Sequence, residues 1–551
     1  MWGCREGLSQ KDCGHLTAVK PSQYGVGGIT VTTELRRIRA NGPSLRRPDA
    51  RGRFPRDRGR GVRNDVRMIP DREQCIRAAQ SRDARFDGWF IIGVTSTGIY
   101  CRPSCPTPVL PKPVNMRFYA SSAAAQRAGF RACKRCRPDA SPGSPEWNSR
   151  SDVVGRAMRL IADGAVDRGG VPGLARSLAV SERHLNRLLV TELGASPLAL
   201  ARAQRAQTAR ILIETTGMSF AEVALAAGFS SVRQFNDTIR EVFASTPGQL
   251  RRVSINGSRP TGVSAISVRL PFRTPYDVHG LLRFLGERTI AGVEVWDGAT
   301  YSRTLRLSHG TGVVSLRPQL DHIACELRLE SLADLQSALQ RSRRLLDLDA
   351  DSVTIDQTLA ADPHLAPLVA RRPGLRSPGM VDGTEALVRA VVGQQVSVAG
   401  ARTVLGRIVD AVGTTLSDRV DGLVREFPSA GQLAEAPDAV FAMPGARRNA
   451  LREACRRIAC GDIALDAGTD RDAVRRALVA VPGIGPWTAE YVAMRALGDP
   501  DAFPATDLGV RKGLARLGIA ATPKQTAAIA EAWRPWRAYA THHLWNHLGD
   551  D

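Results

Sequence analysis

Four cysteines are the part of this 551-residue sequence whose types and spacing most directly imply chemistry. Cys101-Arg-Pro-Ser-Cys105 and Cys133-Lys-Arg-Cys136 form two short-spaced pairs, the arrangement by which a chain delivers four ligands to one tetrahedral zinc ion. From spacing alone an architectural zinc knot is the stronger reading, because structural sites fill all four positions with protein ligands. The remaining six cysteines (Cys4, Cys13, Cys75, Cys325, Cys455, Cys460) are scattered without pairing logic, which indicates a reducing, cytosolic compartment. A second pattern is Val481-Pro-Gly-Ile-Gly-Pro486, a glycine hairpin between a helix ending near Ala480 and one beginning near Trp487, which reads as a helix-hairpin-helix. Without side chains at Gly483 and Gly485, backbone N–H groups at a helix N-terminus reach a DNA phosphate and anchor it without reading sequence. A simple capping turn has the same local pattern.

The elements that must position these groups follow from length and patterning. A chain of this length exceeds one hydrophobic core, and roughly three to five domains are expected. Its composition, 43% hydrophobic, is ordinary for a globular protein, and no apolar stretch approaches bilayer-spanning length. A formal net charge of +22 calls for an anionic partner, nucleic acid before an anionic membrane. Residues 1–67 are Arg/Gly/Pro-rich with no apolar periodicity and no secretory h-region. They read as a disordered basic leader, either a DNA-binding arm or an unstructured tail, with Met68 a candidate start.

From about Ser151 to Arg252 the pattern is helical throughout. Leu174 to Val180 is followed by Ser181 as N-cap and a helix from Glu182. In a second unit Ser219 and Glu222 form a capping box, Gly228 breaks the helix, and another begins at Ser231. After a polar linker around Asn256 to Val263, residues 265 to about 360 alternate in β fashion, and helix returns from Gly383. The fold class is therefore multidomain α+β: a small Cys4 zinc domain, an all-α double helix-turn-helix domain, an α+β subdomain and an all-α helix-hairpin-helix domain.

The segment from Phe86-Asp-Gly-Trp-Phe through Thr97-Gly-Ile-Tyr-Cys101, Phe118-Tyr119 and Ala128-Gly-Phe-Arg-Ala-Cys133-Lys-Arg-Cys136-Arg-Pro closely resembles the amino-terminal domain of the Ada family. The resemblance implies that Cys101 accepts a methyl group from a methylphosphotriester in DNA, with Cys105, Cys133 and Cys136 as supporting zinc ligands. Zinc keeps a thiol as thiolate, the nucleophilic form. Loss of that charge on methylation would raise affinity for the DNA backbone, so damage becomes a binding switch. Lys134 and Arg135 are candidate phosphate contacts. The transfer is stoichiometric.

The tandem helical units resemble the DNA-binding domain of the AraC family. The second helix of each would enter a major groove, presenting Arg183, Asn186 and Arg187 in one case and Arg233, Gln234 and Asn236 in the other. A helical bundle with ordinary polar faces is the alternative for one such unit; two in tandem behind an Ada-like segment weigh against it.

Residues 265 to 551 resemble the AlkA-type 3-methyladenine DNA glycosylases through Gly393-Gln-Gln-Val-Ser-Val, the hairpin, Trp487-Thr-Ala-Glu-Tyr491, Phe503-Pro-Ala-Thr-Asp507-Leu-Gly and Tyr539-Ala-Thr-His-His-Leu-Trp545. The resemblance implies that Asp507 is the essential carboxylate, that Gln395 is the wedge filling the gap left by an everted base, and that Trp487, Tyr491 and Trp545 line the base pocket. A carboxylate stabilises positive charge developing on the sugar, and electron-rich aromatic faces favour a cationic alkylpurine. Asp507 as a plain N-cap, and the aromatics as core, are the bland alternatives. Pro486-Trp487 replaces the lysine of bifunctional relatives, so no strand cleavage is expected, and the absence of cysteine beyond Trp487 excludes the iron–sulfur loop of other relatives. No cysteine stands in the Pro-Cys-His-Arg context of O6-alkylguanine methyltransferases, so repair of O6-methylguanine is not expected.

The domain expectation is a leader 1–67, a zinc methyl-acceptor domain 68–142, a double helix-turn-helix 151–253, an α+β subdomain 264–370 and a glycosylase domain 380–551. The function implied is a sensor-regulator fused to a monofunctional glycosylase. Its rivals are a transcription factor whose glycosylase half is a passive clamp, and a glycosylase with a purely structural zinc module. Expected partners are alkylated and promoter double-stranded DNA and RNA polymerase, with no membrane, in a monomeric, cytoplasmic, nucleoid-associated protein. Zinc is the expected cofactor.

Overall fold

A computed structural model of the protein describes residues 69–138, 152–254, 265–466 and 468–549. The basic leader and the polar linker lie outside the described residues.

The first module is a four-stranded sheet in the order Met116–Tyr119, Ile91–Val94, Ile99–Cys101, Arg131–Ala132, with helices Arg72–Ser81 and Ser122–Arg127 against it. Gly98, at φ +65°, takes the left-handed position in the turn joining Ile91–Val94 to Ile99–Cys101, where a side chain would be strained. The strand Arg131–Ala132 pairs parallel to Ile99–Cys101, with Tyr100 opposite Ala132. That pairing aligns the ends of two strands distant in sequence.

Residues 152–254 are helical, as their periodicity predicts. The first helix-turn-helix is Ala165–Ser177, bent at Gly170, followed by Glu182–Leu193, which Ser181 caps by accepting from His184 N at 3.2 Å. The second is Phe220–Ala226 followed by Val232–Phe243, with the expected Ser219/Glu222 capping box and Gly228 in the left-handed region at φ +80°. The long helix Pro197–Thr215 links them. Leu185, Leu189 and Leu193 at helical spacing, and Phe235, Ile239, Val242 and Phe243 in the second unit, are buried and leave the opposite faces polar.

The α+β region holds a five-stranded antiparallel sheet in the order Ile266–Pro271, His322–Leu329, Thr311–Pro318, Tyr301–Arg306, Glu294–Trp296. The β character ends at Leu329, earlier than the expected limit near 360. Leu335–Leu345 and Ser352–Leu359 are helices, because Leu335, Ala338, Leu339 and Leu345 recur at helical spacing and bury one face. The return to helix after Gly383 is likewise interrupted, by the hairpin Thr415–Val420/Leu423–Arg425. Around it the helices Gly383–Val392, Val398–Val412, Gly445–Ala459, Arg471–Val479 and Pro486–Arg495 share one core containing Leu387, Leu451 and Val492. Leu508–Arg516 and Arg537–Leu548 join a second core built on Trp533, Phe503 and Leu544.

Sheet and helices are joined by a buried ionic cluster. Arg303, on the sheet, reaches Glu294 at 3.0 Å and Glu385 of Gly383–Val392 at 2.6 Å; Arg389 reaches the same two carboxylates at 2.5 and 2.7 Å. Burial alone would raise the Glu385 carboxyl, but Arg303 and Arg389 outweigh it and hold it down at about 2. Removing one partner would strand an unpaired buried charge, so the cluster fixes the helix that leads into Gly393-Gln394-Gln395.

Candidate functional site

Cys101 ends one strand, Cys133 follows its parallel neighbour, and Cys133 N donates to Tyr100 O at 3.0 Å, so the backbone pairing itself brings the two cysteine pairs together. The four thiols of Cys101, Cys105, Cys133 and Cys136 lie within 4.8 Å of one another, with Cys105 and Cys133 sulfurs 4.0 Å apart. A tetrahedral zinc with Zn–S bonds of about 2.3 Å needs sulfur separations of about 3.8 Å, so the donor set fits Zn2+. Cys105 and Cys136 are buried, whereas Cys101 and Cys133 are half-buried. The loop between Cys101 and Cys105 is pinned from inside: Asp87 accepts from Ser104 N at 3.0 Å and Ser104 Oγ at 2.6 Å and pairs with Arg102 at 3.2 Å. Lys134 and Arg135 stand exposed at the rim, Arg135 donating to Pro106 O at 3.3 Å.

On the first helix-turn-helix, Arg183, Asn186 and Arg187 are all exposed, Arg187 resting against His184 at 3.0 Å. The second presents its three residues unequally. Arg233 is exposed, but Gln234 Oε1 is occupied by Ser230 N and Oγ at 3.2 and 2.9 Å, and Asn236 is half-buried. The helix start uses Gln234 to fix the turn, which sequence spacing alone does not reveal.

In the hairpin, Gly483 has φ +90°, and a Cβ there would sit 2.8 Å from Ala450 Cβ, so turn and packing both demand glycine. Gly485, the N-cap of Pro486–Arg495, has φ −95° and open space at its Cβ position. Nothing in the protein itself requires glycine there.

Pro486–Arg495 carries Trp487 and Tyr491 one turn apart, and their rings stack at 5.4 Å and 23°. Arg537–Leu548 supplies Trp545, 6.4 Å from Tyr491. Asp507 caps the intervening helix, as its N-cap reading expects: Oδ1 accepts from Val510 N at 2.8 Å. It does more than cap. Oδ1 also accepts from Trp545 Nε1 at 2.8 Å, and Oδ2 from Trp487 Nε1 at 2.7 Å. Two rings of the slot thus orient both oxygens of one half-buried carboxylate at their N–H edges and keep their electron-rich faces free, so carboxylate and ring faces together suit a cation. Gly509 accommodates this closeness, since a Cβ there would lie 2.9 Å from the Trp545 ring.

Gln395 sits on the loop between Gly383–Val392 and Val398–Val412, exposed, at φ +59°. A left-handed glutamine is uncommon and strained. The neighbouring Gln394 donates to the buried Thr488 Oγ1 at 2.8 Å, tying this loop to the helix of Trp487.

Three residues of the aromatic cluster were not found by sequence reasoning. His542 packs edge-on against Trp545 at 5.0 Å and against Phe284 at 5.5 Å, while Arg495 lies over Phe284 and Tyr491 at 5.1 and 5.7 Å. Burial, reinforced by Arg495 and Arg288, pushes His542 well below the usual histidine range, so it packs as a neutral ring. His542 stands inside a recognised segment; Phe284 lies on a distant amphipathic helix whose periodicity gives no hint of its neighbours.

Comparisons with known proteins match this geometry. Family models describe residues 267–382 as the AlkA N-terminal domain, 74–139 as the metal-binding domain of Ada, 174–253 as a helix-turn-helix domain and 388–538 as an HhH-GPD superfamily base excision DNA repair protein. The chain is 54% identical over 484 residues to a probable bifunctional transcriptional activator/DNA repair enzyme AlkA of Mycobacterium tuberculosis, covering 87% of this chain and 97% of that one. It is 34% identical to DNA-3-methyladenine glycosylase 2 of Escherichia coli over 50% of this chain and 95% of that one. It is 33% identical to the bifunctional transcriptional activator/DNA repair enzyme Ada of Escherichia coli over 32% and 49% respectively. Among the described residues no helix is long and apolar enough to cross a membrane. The four-cysteine cluster is accordingly an Ada-type zinc site, the helical half is of AlkA glycosylase type, and the chain belongs to the AlkA family of bifunctional transcriptional activator/DNA repair enzymes.

Proposed function

We propose that this chain performs two reactions on alkylated DNA and couples one of them to transcription. In the first, the Cys101 thiolate attacks the methyl carbon of a methylphosphotriester; the S–C bond forms, the C–O bond breaks, and the phosphodiester leaves as an anion. Zinc, when bound, supplies the thiolate form at neutral pH. The transfer is stoichiometric. It removes one negative charge from the protein, which strengthens backbone contact through residues such as Lys134 and Arg135. The half-exposed position of Cys101 supports its role as acceptor. Arg183, Asn186, Arg187, Arg233, Gln234 and Asn236 then face promoter base edges, and RNA polymerase is the protein partner of a monomeric activator.

In the second reaction, the chain hydrolyses the N-glycosidic bond of alkylated bases of the 3-methyladenine type. Gly483 and Gly485 anchor a phosphate, Gln395 fills the gap left by the everted nucleotide, and Trp487, Tyr491 and Trp545 hold the cationic base. Asp507 stabilises positive charge on the sugar while the C1′–N bond breaks and water adds to C1′. With Pro486-Trp487 after the hairpin, no lysine is offered for a Schiff base, so the reaction is hydrolytic without strand cleavage. Labour divides along the expected limits 68–142, 151–253, 264–370 and 380–551.

The observation that carries this reading is the carboxylate of Asp507 held by two indole N–H groups that also wall the slot. The test is base release from duplex DNA carrying one 1,N6-ethenoadenine or 3-methyladenine analogue, by wild type and Asp507→Asn. Release by wild type alone supports it; no release from several alkylated bases by either protein points to a transcription factor with a passive clamp.

A further inference from the structure

The helix Pro486–Arg495 presents different faces to different neighbours. Trp487 and Tyr491, one turn apart and half-buried, wall the slot, whereas Thr488 and Val492, each the next residue along, are 1% and 0% exposed. That buried face packs against the helix Gly383–Val392, where Leu387, Val388, Val391, Ala489 and Val492 share one core. Thr488 brings a hydroxyl into this apolar contact, and a buried hydroxyl is stable only with a partner. The partner comes from outside the helix pair: Gln394, half-buried on the loop after Gly393, donates from Nε2 to Thr488 Oγ1 at 2.8 Å. An aliphatic side chain of the same shape would fill the core without needing that bond. The loop is also fixed at both ends. Gly393 N donates to Arg389 O at 2.9 Å, and a Cβ at Gly393 would lie 2.9 Å from the same oxygen. At the far end Ser397 accepts from Gly400 N at 3.1 Å and caps Val398–Val412. Between those ends stand Gln394, bonded inward, and the exposed, left-handed Gln395.

We propose that Thr488 is a positioning residue for base eversion: through Gln394 it holds the loop that carries Gln395 in register with the aromatic slot built on its own helix. Everting a base requires two things together, a side chain that occupies the gap and a slot that receives the base. Here the two are joined by one side-chain bond, from the residue before Gln395 to the residue after Trp487. When Thr488 cannot accept that bond, Gln394 turns to water and the strained backbone at Gln395 loses a contact that keeps it from relaxing. Thr488 thus acts through the loop and not on the substrate. The proposal rests on the base-excision reading and on Gln395 as the wedge.

The test uses the full-length protein and a duplex carrying one 1,N6-ethenoadenine beside 2-aminopurine, whose brightening reports unstacking before the base is released. Base release is then measured on the same duplex and on its modified strand alone. Thr488→Val keeps the shape and removes the acceptor; Thr488→Ser keeps the acceptor. Loss of one neutral hydrogen bond predicts eversion and duplex excision reduced about two- to tenfold in Thr488→Val, with a smaller loss on the single strand and Thr488→Ser close to wild type. Gln394→Met, which removes the donor and leaves the helix Pro486–Arg495 unaltered, replaces Thr488→Val if that variant does not fold. Equal eversion by the variant and wild type, equal loss in the serine and valine variants, or equal loss on duplex and single strand overturns the proposal. Wild-type protein that releases no alkylated base overturns the excision reading and this proposal together; release that is indifferent to Thr488 overturns this proposal alone.

Discussion

The two hairpin glycines should differ in what alanine costs: stability at Gly483, and chiefly DNA affinity at Gly485. Placing alanine at Gly483 puts a Cβ on a residue at φ +90°, 2.8 Å from Ala450 Cβ on the helix Gly445–Ala459. A left-handed conformation costs an L-residue roughly 1–2 kcal/mol, and overpacking a core typically costs about 1–3 kcal/mol. Gly483→Ala should therefore destabilise by roughly 2–5 kcal/mol, the sum of those two ranges, which is a large share of a domain's usual stability. For a domain of this size each kcal/mol lowers the thermal midpoint by about 2–4 °C, so a fall on the order of 4–20 °C is expected by calorimetry. Gly485→Ala meets neither obstacle, with φ −95° and open space around the new methyl. Its cost is that of alanine at an N-cap, about 1 kcal/mol. The methyl nevertheless occupies the place through which a phosphate would approach the helix N-terminus. Loss of one charge-assisted hydrogen bond, roughly 1.5–3 kcal/mol, corresponds to about a 10- to 140-fold weaker Kd. Fluorescence anisotropy with an abasic-analogue duplex at fixed salt reads that change. If Gly485→Ala binds DNA as wild type does, the hairpin does not anchor the backbone; if Gly483→Ala melts within about 2 °C of wild type, the strain argument is wrong.

Cys101→Ser should abolish uptake of a labelled methyl group from methylphosphotriester DNA while leaving base release within about twofold of wild type, because Tyr100 and Ala132 beside the cysteines belong to a different core from those against which Trp487, Tyr491 and Trp545 pack. Methyl transfer to another cysteine would move the acceptor. Chelation should release zinc and unfold residues 69–138, whose sheet closes on the cluster, seen as loss of protection in hydrogen exchange over Ile91–Cys101; retained protection would show that the sheet stands without metal. Burial raises the Asp347 carboxyl to about 7 despite its bond from Tyr539 OH at 2.8 Å. Between its unfolded value of about 4 and that folded value, the native state holds a proton that the unfolded chain has lost, so stability falls as pH rises across that window, by at most roughly 4 kcal/mol. Asp347→Asn suits the left-handed φ of +50° and removes the titration, so its thermal midpoint should exceed that of wild type at pH 8 and converge with it at about pH 4. A pH-independent difference would dismiss that account. Truncating Gln395 to alanine should slow excision of a base paired in duplex more than one in a mismatch or single strand, since a wedge matters only where a base must be levered out. Equal slowing on all three substrates would mean that the residue acts elsewhere.

What was legible in the sequence was whatever local spacing encodes. The capping box at Ser219 and Glu222, the break at Gly228, the hairpin glycines and the paired cysteines all act within a few residues, and each appears where the pattern puts it. The second ends of long-range contacts were not legible. Nothing near Asp507 announces that Trp545, 38 residues on, donates to one oxygen and Trp487, 20 residues back, to the other; only family resemblance joined them. Phe284 and Arg495 escaped for the same reason, since an amphipathic helix declares which residues it buries but not which partner they meet. The β reading overran Leu329 because Leu335–Leu345 interleaves charged and apolar residues closely enough to mimic alternation, and the buried stripe of Leu335, Ala338 and Leu339 decided for helix. The ionic cluster of Arg303, Glu294, Glu385 and Arg389 was the least visible of all. Each member reads on its own as a solvated charge, and burial is affordable only because all four arrive together from a sheet, an edge strand and a helix. Glu385 and Arg389 stand on the helix that ends at Gly393, and Gln394 ties the next residues to Thr488. The left-handed Gln395 therefore hangs between two fixed points, which is how a strained residue stays at φ +59° on an exposed loop.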